Sequence, residues 1–218
     1  MTKSDGTAGE LRSPSGLRVQ VNRNGSIRRI DHGDVILNLF LGGEIEGGPA
    51  NLYLRRQGAE IESTPLLGPG GPGTIQRDES GLVARGEWRG IRFRAALVLA
   101  RSSPTWFWHV ALENVGTAAQ TVDLVYAQDL ALAPYGAVRM NEYYVSQYVD
   151  YTPLAHAEHG PVLAVRQNLS VGGRQPWVAI GALGRTASFA TDALDLHGLA
   201  TRAGDVAPGL AHGLPGRR

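Results

Sequence analysis

The sequence predicts an all-β protein built from antiparallel sheets. Three observations carry this. Apolar and polar residues alternate with a period of two through much of the chain, as they do on strands with one buried face. Turn formers punctuate these runs, with 29 glycines and 12 prolines. No amphipathic helix longer than a turn or two is visible. Strand–turn–strand spacing of this kind marks a sandwich or a barrel.

Taken in order, residues 1–15 read as a disordered leader. Leu17, Val19 and Val21 then alternate with Arg18, Gln20 and Asn22. Asn24-Gly25 follows, a strong hairpin signal because both residue types tolerate positive φ. Residues 34–41 are mostly apolar. Gly42-Gly43 and Gly47-Gly48-Pro49 break the chain on either side of Glu44-Ile45-Glu46. Strand character resumes over 51–62. Residues 63–73, rich in Pro and Gly, read as a long exposed loop or a linker between sheets.

The middle of the chain is the most regular. Ile91, Phe93, Ala95, Leu97 and Leu99 share one face of a strand. Trp106, Trp108, Val110 and Leu112 share one face of the next, and Val122, Leu124 and Tyr126 mark a third. Asn114-Val115-Gly116 forms a turn between the last two. Strands of roughly 8–10 residues point to extended sheets. Further strands are predicted at 142–151, 161–168, 176–182 and 186–190. Thr191 to Leu199 holds one short helical turn, with Asp192 as its N-cap. Residues 203–218 read as the start of a linker, so the folded domain is expected over 16–202.

Composition narrows the function classes. The chain is 43% hydrophobic and 19% charged, as expected of a globular protein. A net charge of +1 leaves no basic footprint for nucleic acid. The absence of cysteine removes disulfides, thiolate metal sites and thiol nucleophiles. The N-terminus has no apolar signal-peptide core, and no apolar run is long enough to span a membrane, so a cytoplasmic location is expected. No phosphate loop, dinucleotide fingerprint or nucleophile elbow is present, and no cofactor is expected.

Few residues stand out for chemistry. His156 and His159 flank an acid, but Pro153 and Gly160-Pro161 surround them, so they read as a surface turn and not half a metal site. His109 reads as a packed strand residue. Glu44 and Glu46 have the residue type of a glycosidase pair, yet read more simply as an exposed acidic loop. The densest polar–aromatic stretch is Met140 to Tyr151, with four tyrosines interleaved with amides and acids. Aromatic faces stack on sugar rings, while amides and carboxylates bond hydroxyls. Tyr144, Gln147, Tyr148 and Asp150 are therefore the candidate carbohydrate-binding residues. As a strand, this stretch would put Tyr144, Ser146, Tyr148 and Asp150 on one face. That face is either a binding surface or core with tyrosine hydroxyls at its rim.

Residues 137–151 resemble the N-terminal domain of glycoside hydrolase family 94, which contains cellobiose-type phosphorylases and the phosphorylase-like part of cyclic β-1,2-glucan synthases. Three other segments are similar in the same order: Gly33 through Arg55, Trp108 to Asp129 with its Leu-Glu-Asn-Val-Gly core, and Phe189-Ala190-Thr191-Asp192. The resemblance implies a large antiparallel β-supersandwich of galactose-mutarotase-like architecture. It implies a helical barrel, beyond residue 218, that holds the catalytic acid and the phosphate site. Phosphate attacks the glycosidic carbon there, with inversion, while the acid protonates the leaving oxygen. No catalytic residue of the family falls within this chain, so no turnover is expected from it by itself. The implied roles are homodimer formation and a wall of the catalytic cleft, and the implied ligand is a β-glucan oligosaccharide or disaccharide. The alternatives are a stand-alone carbohydrate-binding module, with Trp88, Trp106, Trp108 or Trp177 as a platform, and a mutarotase- or epimerase-type enzyme using a glutamate and histidines.

Overall fold

A computed structural model describes residues 9–78, 81–184, 186–197 and 208–211. In chain order the first strands are β1 (Gly9–Arg12), β2 (Leu17–Val21), β3 (Ile27–His32), β4 (Val35–Ile36), β5 (Ala50–Gln57) and β6 (Glu62–Pro65). Next come β7 (Gly73–Asp78), β8 (Gly81–Trp88), β9 (Ile91–Leu99), β10 (Trp106–Asn114), β11 (Thr121–Gln128) and β12 (Ala133–Pro134). Two short helices follow, α1 (Tyr135–Met140) and α2 (Glu142–Ser146). The chain continues through β13 (Val149–His156), β14 (Gly160–Gln167), β15 (Trp177–Ile180), α3 (Ala193–His197) and a 3₁₀ turn at Pro208–Ala211.

The strands make four antiparallel sheets, in the orders β1-β2-β3-β4-β12, β10-β9-β8-β7, β11-β5-β6 and β13-β14-β15. All four contribute to one core. Leu17, Val19 and Val21 come from β2, Leu52 and Leu54 from β5, Leu82 from β8, Phe93, Ala95 and Leu97 from β9, and Val165 from β14. This is the predicted all-β sandwich. Each fully buried Leu, Val or Phe in it contributes about 1.5–3 kcal/mol of transfer free energy.

The predicted Asn24-Gly25 turn joins β2 to β3. Gly25 has φ +82, and the Asn22 N–H donates to Ser26 O at 2.9 Å. A Cβ on Gly25 would lie 2.6 Å from Ile75 Cδ1, so both backbone conformation and packing select glycine. The apolar run 34–41 yields only the two-residue β4, and Asn38 explains why. Its buried amide accepts from the Ile30 N–H at 2.7 Å and donates to Arg28 O at 3.4 Å, replacing a strand ladder with side-chain bonds.

Several expectations change. Ordered structure begins before residue 16, because β1 pairs with β2 and buries Leu11; residues 1–8 of the expected leader lie outside the described residues. Residues 63–73 do link two sheets, but the segment is not an exposed loop. Leu66 and Leu67 are buried, and the Leu66 N–H donates to Leu52 O at 2.8 Å. The turn after Asn114 does not make a hairpin. β10 pairs with β9 and β11 with β5, so the chain crosses between sheets there. β11 is fastened by a bidentate ion pair, Arg55 Nε and Nη2 to the two Asp123 carboxylate oxygens, each at 2.7 Å.

Residues 142–151 are not one strand. The first half is α2, and the strand begins only at Val149. The predicted strands at 161–168 and 176–182 are present as β14 and β15, whereas 186–190 makes no strand among its described residues. Asp192 does cap α3, its Oδ1 accepting the Leu194 N–H at 2.8 Å. Of the expected linker, residues 208–211 instead form a packed 3₁₀ turn. Leu210 is buried against Tyr53. The close approach needs Gly209, whose Cβ would meet Asp195 O at 1.7 Å. Residues 203–207 and 212–218 lie outside the described residues.

Candidate functional site

The tyrosine stretch is a pair of short helices held down at one side. Asn141 serves both. Its N–H donates to Ala137 O at the end of α1, and its side-chain oxygen accepts the Tyr144 N–H at 2.9 Å at the start of α2. Val138 and Val145 bury into a small cluster with Ile36, Ala131 and Ala133. The buried Gln167 of β14 completes the anchor. Its Nε2 donates to Ala131 O at 2.8 Å and Val145 O at 3.1 Å, and its Oε1 accepts the Leu169 N–H at 3.0 Å. The opposite side carries exposed Met140, Tyr143 and Tyr144.

This arrangement brings two of the four predicted residues together. Tyr144 and Tyr148, four apart in the chain, have ring centroids 4.9 Å apart at an interplanar angle of 55°. Their hydrogen bond, and then the charge that ionisation of the second phenol would set beside the first, raise the pKa of Tyr144. Gln147 is exposed at the C-terminal end of α2, where its N–H donates to Tyr143 O at 3.3 Å.

Asp150 belongs to a different group, on the outer face of the β13–β14–β15 sheet. Register places Asp150 opposite Arg166, and Arg166 opposite Trp177. The Asp150 carboxylate and Arg166 guanidinium approach to 3.8 Å, and both side chains are about half exposed. The same residues, with Thr152 and Ala164, line a shallow depression of about 310 Å³. The inner face carries Tyr151, Val165, Val178 and Ile180 against the core. Burial, and then the charge of Asp129, raise the pKa of Tyr151.

The tryptophans divide between the core and the exterior. Trp106 and Trp108 are half-buried and pack against the core, as does Trp88. The Trp106 Nε1–H donates to the Tyr126 hydroxyl at 3.3 Å. Burial pushes the Tyr126 phenol pKa well above its usual value. Trp177 is 71% exposed. Among the candidate platforms it alone stands open, a distinction the alternation pattern by itself does not make.

The remaining candidates resolve plainly. Glu44 Oε1 accepts the Arg23 N–H at 3.4 Å and Glu46 Oε2 the Gly43 N–H at 3.3 Å, so both acids tie down their own loop. His156 and His159 do sit at the β13–β14 turn. Their rings stack at 4.6 Å, and His156 Nδ1 accepts the N–H groups of Glu158 and His159. His109 corrects the expectation of a packed residue: it is exposed on β10, with Phe107 6.0 Å away on the same outward side. Among the described residues, no group of three or more His, Asp or Glu is placed to hold a metal ion. A larger depression of about 580 Å³ lies over β8, β9 and β10, lined by residues that include Arg85, Phe93, Arg94, Leu112 and the Arg92–Glu113 pair. Among the described residues, no helix is long and apolar enough to cross a membrane.

Fold and surface thus define an all-β sandwich domain with aromatic side chains on its exterior. The chain belongs to the SOGP N-terminal domain family, which matches residues 20–218. It is 34% identical over 168 residues to a 1,2-beta-oligoglucan phosphorylase from Listeria innocua serovar 6a (strain ATCC BAA-680 / CLIP 11262). That match covers 76% of this chain and 14% of the relative, so the chain spans about a seventh of the relative's length. The resemblance to the N-terminal domain of a phosphorylase, drawn from residues 137–151 and three further segments, holds.

Proposed function

We propose that the chain is the non-catalytic, carbohydrate-associated N-terminal domain of a phosphorylase of the glycoside hydrolase family 94 kind. On this reading it helps form a homodimer and walls a catalytic cleft supplied by a helical barrel domain. The substrate class is a β-glucan oligosaccharide, with the β-1,2 linkage favoured by the relative's activity. The setting is cytoplasmic. Tyr144, Gln147, Tyr148 and Asp150 serve the glucan or the cleft wall.

One structural observation carries the role. Among the described residues, eight of the twelve exposed large apolar and aromatic side chains lie between residues 140 and 194: Met140, Tyr143, Tyr144, Tyr148, Leu154, Trp177, Leu183 and Leu194. Exposed apolar surface of this kind is what a contact face supplies. The mutarotase-type alternative gains no support from the site. A general base and acid must converge on one sugar, whereas His109 stands exposed on β10 and His156 Nδ1 is engaged by its own turn.

The test has two parts. Incubation of the chain with β-1,2-oligoglucan and inorganic phosphate is expected to release no glucose 1-phosphate, and steady release would sink the non-catalytic role. Light scattering is expected to give about twice the 23.3 kDa chain mass, reduced to the monomer by Met140→Asp. A monomer at every concentration would remove the dimer role.

A further inference from the structure

We propose that the outer face of the β13–β14–β15 sheet is a binding platform for a neutral oligosaccharide, with Trp177 as the stacking surface and Arg166, Asp150 and Thr152 as the hydroxyl contacts. The proposal deepens the glucan reading above and rests on it for the identity of the sugar.

The first argument is the state of Trp177. An indole carries one of the largest apolar faces of any side chain. Here it is 71% exposed on a regular strand, although its neighbour Val178 packs against the core. The second argument is what stands beside it. Cross-strand pairing sets Asp150, Arg166 and Trp177 in one row across three strands, with Thr152 and Ala164 paired in the next row. Ala164 is small, so the row beside the indole is recessed. The result is the depression of about 310 Å³, at the lower end of small-ligand sites.

The third argument is charge. A guanidinium has five N–H donors and a carboxylate about four acceptor positions. At 3.8 Å and half exposed, the Arg166–Asp150 pair leaves most of these free. The two charges cancel, so the site has no net attraction for an anion such as a phosphate. It offers closely spaced donors and acceptors beside an aromatic plane. A pyranose matches this, with C–H groups on its face and hydroxyls that both donate and accept around its rim.

The platform differs from the Tyr144–Tyr148 pair, so the two can be told apart. Affinity electrophoresis and titration calorimetry would use the 218-residue chain with β-1,2-gluco-oligosaccharides, and with maltooligosaccharides as the contrast. Trp177→Ala is expected to weaken binding at least tenfold and Arg166→Gln severalfold, a larger loss than Tyr148→Ala gives. Ligand is also expected to shift the tryptophan fluorescence of the wild type but not of Trp177→Phe. Because Trp177 is exposed, the unfolding temperature of Trp177→Ala should stay close to that of wild type, which separates lost binding from lost fold. Wild-type binding that survives Trp177→Ala overturns the proposal, as does the absence of binding to any of the sugars. A change of oligomeric state in Trp177→Ala, with no sugar effect, overturns it and assigns the face to a second copy of the chain. Binding of maltooligosaccharides but not β-1,2-glucan would uphold the platform and refute the glucan assigned above.

Discussion

Replacing Gln167 with Leu tests whether the tyrosine-bearing helices are held by a buried amide. The side chain is fully buried, and its three bonds reach Ala131 O, Val145 O and the Leu169 N–H. Val145 O would keep the Tyr148 N–H at 3.3 Å. Ala131 O and the Leu169 N–H would lose their Gln167 partner. Each loss costs about 1–3 kcal/mol when the group is buried, and the apolar replacement returns about 1–2 kcal/mol. The net expectation is a loss of about 2–3 kcal/mol, or roughly 5–10 °C in unfolding temperature for a chain of this size. Urea unfolding measures the first and calorimetry the second. Near-ultraviolet circular dichroism should lose tyrosine signal as the Tyr144–Tyr148 pair loosens. A destabilisation below about 0.5 kcal/mol, the level of an ordinary surface change, would refute the anchor.

Other expectations follow from the same physics. Burial and, secondarily, the Asp129 charge push the Tyr53 pKa up to about 12. The unfolded chain therefore releases this proton first as pH rises, so stability is intact below pH ~10 and falls between about 10 and 12 at up to ~1.4 kcal/mol per pH unit. Tyr53→Phe should flatten that part of an alkaline denaturation curve, and an unchanged slope would count against it. Arg55→Lys keeps the charge but loses the two-pronged contact with Asp123. A loss of about 1–2 kcal/mol is expected, and a double-mutant cycle with Asp123→Asn should show coupling between them. Gly209→Ala would drive a methyl group into Asp195 O. Overpacking of this kind costs about 1–3 kcal/mol, and faster amide exchange across 193–197 is the readout, with unchanged protection the contrary result.

The strand pattern was legible because it is a local property. Leu17, Val19 and Val21, and the run from Ile91 to Leu99, display their buried faces in the order of the residues alone. So did the Asn24-Gly25 turn, which depends on backbone freedom at Gly25, and the cap at Asp192. The stretch 135–146 was not legible. Its tyrosines and valines favour strands, yet Asn141 caps a helix there, and Val138, Val145 and the distant Gln167 hold it in place. Tertiary contact overrode a weak local preference.

The same division holds for the candidate site. Composition and order supplied Tyr144, Tyr148 and Asp150 as an aromatic and polar set, but sequence proximity suggested one surface where there are two. α2 and the turn that follows it pair Tyr144 with Tyr148, and the change from helix to strand carries Asp150 to the face of Arg166 and Trp177. Trp108 and Trp177 both sit on strands. Trp108 meets the core, while Trp177 faces outward beside small and charged neighbours. Alternation states which residues share a side of a strand. Which side is covered depends on residues brought from elsewhere in the chain, and for Trp177 the described structure brings none that covers it.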